Sequence, residues 1–148
     1  MVSPLAGWVA ELCELALHDP DASSRLQMAV YELVENSVRY GRSDSAVGVD
    51  VELVRHAESS ELKVSTRNRA TPEQLQRAIK HLSGVKSAED AVSYYDELIR
   101  DSAPRTGVSG LGLARLRAEA DLNVDFYVVG DELTISVHAA IAPPPCHD

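Results

Sequence analysis

A chain of 148 residues, 45% hydrophobic and 25% charged, has the size and balance of one globular domain. Its net charge of −9 would repel a phosphate backbone, which excludes nucleic acid as an expected partner, and no apolar run approaches the ~20 residues of a membrane span. The opening "MVSPLAGWVAELCELALHD" has no basic start and carries glutamates inside its apolar pattern, so it does not read as a signal peptide, and a cytoplasmic protein is expected.

In chain order, residues 4–18 repeat apolar positions at helical spacing (Leu5, Trp8, Val9, Leu12, Leu15, Leu17), and "HDPDASS" breaks that helix and supplies caps. A second helix is predicted from about Ala22 to Tyr40, ending at Gly41 as a helix commonly ends at glycine. Residues 47–57 and 61–67 alternate toward β on either side of "ESS" and read as an antiparallel pair. Two polar helical stretches follow, with Thr71-Pro72 and Ser87 as their predicted starts. The glycine stretch "TGVSGLGL" then opens a helix to about Ala120, and "VDFYVVGDELTISVHAAI" reads as two strands around a Gly130-Asp131 turn. The order ααββ, insert, αββ predicts an α+β fold: a two-layer sandwich of a mostly antiparallel mixed sheet with helices on one face. We expect one domain over residues 1–142 and a flexible tail at 143–148. Cys13 and Cys146 have neither metal-ligand spacing nor disulfide density, and the five histidines show no mutual spacing for a metal or a relay.

Two stretches carry chemistry. In "RLQMAVYELVENSVRYG" a projection at 100° per residue places Leu26, Ala29, Val30, Leu33, Val34 and Val38 on one face. Glu32 and Asn36 are i,i+4 neighbours at its border and can point into one cleft, with Arg25 and Arg39 on the adjoining strip. An asparagine oxygen can ligate Mg²⁺, and the glutamate can orient or deprotonate a water or hydroxyl. Equally, Glu32, Glu35 and Arg39 can form a solvated face of ion pairs. The second stretch, G-x-x-G-x-G-L over 107–113, lacks the GK[ST] of a P-loop and the GxGxxG of a dinucleotide loop. What it offers is bare amides and the positive end of a helix, an anion site in physical terms, or alternatively a hinge or a close helix contact.

The pair "ELVEN" and "GVSGLGL", set in this order of elements, resembles the GHKL ATPase superfamily, the Bergerat fold of histidine kinases, gyrase and Hsp90. Within it, "AVYELVENSVRYG" is similar to the stand-alone serine/threonine kinases of bacterial partner switching, the anti-sigma factor kinases and SiaB-type kinases. The resemblance spans about residues 5–140 and implies an ATP-binding, Mg²⁺-dependent protein whose partner is a STAS-type anti-anti-sigma protein or a similar regulator, with a homodimer possible. It assigns Glu32 to activating the attacking hydroxyl, Asn36 to holding Mg²⁺, and Gly107, Gly110, Leu111, Gly112 and Leu113 to receiving the phosphates. It makes residues 71–106 the lid. Where the family has DxGxG for adenine, this chain reads "VSTRNRATPEQ". Asn68 or Thr66 then stands at the position of the aspartate, and losing one buried hydrogen bond to adenine costs about 1–3 kcal/mol. Arg105 and Lys86 are further cations able to reach a γ-phosphate, or else ordinary surface charge. A non-catalytic interaction protein on the same fold is the alternative.

Overall fold

The computed structural model describes residues 2–17, 19–102 and 111–141. Its elements run α1 (Val2–Leu17), α2 (Pro20–Tyr40), β1 (Gly48–Arg55), β2 (Ser60–Arg69), α3 (Pro72–Ser87), α4 (Ala91–Ser102), α5 (Gly112–Ala120), β3 (Asn123–Val129) and β4 (Glu132–Ile141). The strands form one sheet in the order β1-β2-β4-β3, and every neighbouring pair is antiparallel. The fold is α+β as expected, but the described sheet is antiparallel throughout rather than mixed. β1 and β2 are joined by a hairpin, the α3–α5 excursion delivers the chain to the edge strand β3, and the β3–β4 hairpin then sets β4 antiparallel to β2.

Local chemistry explains the boundaries. Asp19 has extended backbone, and its Oδ1 accepts from the amides of Asp21 at 3.0 Å and Ala22 at 3.1 Å, while Pro20 takes the first helical position. Thr71 and Gln74 close a reciprocal capping box at the start of α3, again followed by proline. Ser87 does not start a helix. It ends α3, because the apolar period continues to the buried Val85, and Arg117 donates to the carbonyls of Val85 and Ala88 there. Asp90 then caps α4, accepting from Val92 and Ser93 amides. At the other end of α5, Arg25 Nε donates to Ala120 O at 2.8 Å, beside Asp121 in a left-handed conformation.

The core lies between the helices and one face of the sheet. Leu62 and Val64 of β2, and Leu133, Ile135 and Val137 of β4, meet Leu26, Ala29, Val30 and Leu33 of α2 and Leu113, Ala114 and Leu116 of α5. Each large aliphatic side chain buried this way contributes about 1.5–3 kcal/mol. Thr66 and Asn68 share that inward face, opposite Ile135 and Leu133. The expected face of α2 holds except at Val38, which is 68% exposed: Ser37 takes the inward position at that turn. The 71–106 stretch is not uniform. Ala78, Leu82 and Val85 of α3 are fully buried, so this helix belongs to the helical layer, whereas α4 has no fully buried residue and is held through half-buried Tyr94, Tyr95 and Leu98.

Candidate functional site

α2 and the start of α5 enclose a cleft of about 210 Å³ lined by Tyr31, Glu32, Glu35, Asn36, Arg39, Leu111 and Gly112. Five of these residues follow from one helical strip: positions 31, 35 and 39 stack on successive turns, and 32 and 36 lie beside them. Glu32 and Asn36 therefore do point into a common cleft, together with Arg39. Tyr31 is a wall residue that the sequence reading passed over, although its spacing from Glu35 and Arg39 would have found it. Arg25, on the same helix, is drawn away to cap α5.

The Glu32 carboxylate lies directly against Gly112. A Cβ at Gly112 would overlap Oε2 and Cδ of Glu32 and come within 3.1 Å of its Cγ. Burial pushes the Glu32 carboxyl above its ordinary 4.5, against the pull of the Arg115 guanidinium; Glu35 adds to the rise and Arg39 opposes it. Such a group binds its proton more tightly in the folded chain than in the unfolded one. Its contribution is fully present below pH 4.5 and is lost as pH rises through its higher folded value. Glu32→Gln is therefore expected to raise the thermal midpoint over wild type at pH 8, with the gain fading toward pH 4. A midpoint difference independent of pH would contradict the assignment.

Asn36 is buried, and its Nδ2 donates to Glu32 O at 2.6 Å. That bond fixes the amide and leaves Oδ1 as the atom without a partner. Ser37 Oγ on α2, and Thr66 Oγ1 and Asn68 Oδ1 on β2, are likewise buried without a partner. An unmet buried polar atom costs about 1–3 kcal/mol, and these four lie on α2 and β2, two elements packed together.

Other expected site residues fall elsewhere. Asn68 is not on the cleft wall but under the C-terminal end of α2, where its Nδ2 sits 3.0 Å from the position of a Gly41 Cβ. Leu113 is wholly buried in the core. Lys86 is paired with Asp125 at 2.6 Å on the α3–β3 side. Gly107, Gly110 and Arg105 lie outside the described residues, as does the tail at 143–148. Among the described residues no group of His, Cys, Asp and Glu could hold a metal ion by itself, and no helix is long and apolar enough to cross a membrane.

No family model matches the sequence, and no curated protein does. Among solved structures, a chain of "The crystal structure of SiaB-SiaC complex from Pseudomonas aeruginosa" matches with a TM-score of 0.62 over 95% of this chain and 83% of that one, at 14% identity. At this identity the likeness is one of fold.

Proposed function

We propose that this chain is an ATP-binding regulatory protein of a bacterial partner-switching system, a serine/threonine kinase of the GHKL type acting on a STAS-type or similar partner protein. The observation that carries the reading is the convergence of Glu32, Asn36 and the α5 start at Gly112 on one cleft. The likeness to a chain of a two-protein SiaB-SiaC complex supports the fold it needs.

The residues suit the chemistry. Glu32 is half-buried, with its proton affinity raised toward the range of a working base, and would take the proton of a serine or threonine hydroxyl as that oxygen attacks phosphorus. Asn36 presents a fixed, unpartnered oxygen, which fits a hard cation, and would hold magnesium. Bound magnesium would supply charge neutralisation on the nucleotide phosphates. Arg39 adds a cation at the mouth, and the amides at Leu111 and Gly112 open a helix whose positive end favours anions. For the base, Asn68 Oδ1, without a partner while its Nδ2 leans on Arg69 O at 3.5 Å, would accept from an exocyclic amino group only if the base reached below the present cleft wall, with Thr66 on the same face. Within the 71–106 insert, α4 is the part suited to act as a lid, since α3 is core.

The test is incubation with Mg²⁺ and γ-labelled ATP in the presence of candidate STAS-type proteins. Label is expected on the partner. A thermal midpoint unmoved by millimolar Mg-ATP would overturn nucleotide binding altogether. A second reading then stands, a non-catalytic interaction protein on this fold, favoured by the position of Asn68 away from the cleft wall.

A further inference from the structure

α1 packs on α2 through Val9 and Leu5 and leaves three large apolar side chains outside: Trp8 is 58% exposed, Leu12 45% and Leu15 73%. Their spacing, i, i+4 and i+7, stacks them in one stripe along two turns of the helix. Scattered apolar residues on a surface need no explanation, but a Trp-led stripe at anchor spacing is the form in which one helix is recognised by another protein. The charge around it selects the occupant. Exposed Glu11 and Glu14 stand on the same helix, Asp19 and Asp21 follow at the hairpin, and residues 1–24 contain no Lys or Arg. Two copies meeting stripe to stripe would set these carboxylates against each other, on chains that each carry a net charge of −9. An anionic bilayer is disfavoured for the same reason, since helices that lie on membranes use a basic polar face.

We propose that the Trp8–Leu12–Leu15 stripe of α1 is a docking surface for a partner protein that presents a basic amphipathic helix. The apolar residues of such a helix cover the stripe, and its lysines or arginines meet Glu11 and Glu14. This surface is separate from the nucleotide cleft and does not depend on that reading, though it gives a switching partner a definite chemistry.

Trp8 is the single tryptophan, so its fluorescence reports the stripe directly. The probe is a short leucine–lysine peptide with leucines at helical spacing, added to the full chain. Its addition is expected to move Trp8 emission to the blue, with the apparent affinity falling about tenfold or more between low salt and ~0.5 M salt. The Leu12→Glu/Leu15→Glu variant changes two exposed positions and should keep its helical circular dichroism while losing the response. Four results would overturn the proposal: no shift with the peptide, an equal shift with a leucine–glutamate peptide, a shift with phosphatidylglycerol vesicles alone, or a dimer in sedimentation that the double variant dissolves. Mg-ATP binding measured on the same samples tests the nucleotide reading separately, and its absence would leave docking intact.

Discussion

If the chain is the kinase proposed above, Gly112→Ala is expected to leave the fold standing and to lower phosphoryl transfer as far as Glu32→Gln does, by about 10²–10⁴-fold, the span credited to a positioned base. The methyl group would overlap the Glu32 carboxylate, which is the far end of a flexible side chain, so the carboxylate swings away and the helix need not move. The residues that anchor α5, Leu113, Ala114 and Leu116, face the core on its other side and keep their packing. The thermal midpoint should therefore stay within a few degrees of wild type while the proposed reaction loses its base. Because both substitutions remove the same group from the same place, the double variant should be no slower than either single one. Steady-state kinetics and thermal melts on the three variants decide the matter. An intact Gly112→Ala protein with wild-type transfer would show that Glu32 is not the base.

The close fit of Gly112 to Glu32 was out of reach of sequence reasoning, because it depends on chain closure between α2 and α5. What the sequence does carry is local. The helical period of α2, the alternation of β1 and β2 and the Gly130-Asp131 turn are each set by neighbours a few residues apart, and all are found near where they were expected; α2 starts at Pro20, two residues before the expected Ala22, inside the capping segment. Contacts between distant elements were not legible in the same way. Arg25 lies by its helical position on the strip adjoining Glu32 and Asn36, yet the carbonyl it caps belongs to Ala120, 95 residues away. Apolar periodicity marked Trp8, Leu12 and Leu15 no differently from Val9, but of these four side chains Val9 is the one buried where α1 packs on α2. Ser87 has the residue type of a cap, but the α3 period continues to the buried Val85 and makes it a helix end. The pairing of Glu32 with Asn36 was legible because both lie on one helix, whereas the place of Asn68 depended on how β2 slides under the end of α2.

Gly41 shows how a correct position can be expected for the wrong reason, and it yields the largest stability effect expected among single substitutions near the site. A glycine after a helix usually supplies a left-handed residue, but Gly41 has φ −92° and ψ 160°, extended backbone open to any residue. Space, not torsion, requires the glycine. A Cβ there would overlap the carbonyl oxygen of Ser37 and stand 3.0 Å from Asn68 Nδ2. The first of these is helix backbone and cannot rotate aside, so Gly41→Ala must unwind the last turn of α2. That turn is tied onward: Gly41 O accepts from Gln74 Nε2 at 2.9 Å inside the α3 capping box, and Arg42 N donates to Arg69 O at 2.7 Å. A loss of about 1–3 kcal/mol is expected, as for overpacking in a closed core, read as a lower denaturation midpoint at unchanged slope. Asn68→Ala should not rescue it, because the carbonyl clash remains. Gly130 makes the control: its φ is +62° with nothing within 4 Å of a Cβ, so Gly130→Ala meets only torsional strain, about 1–2 kcal/mol. If Gly41→Ala proved neutral, the close approach at the end of α2 would be wrong; if Asn68→Ala restored it fully, the clash would lie with Asn68 and not with the Ser37 carbonyl.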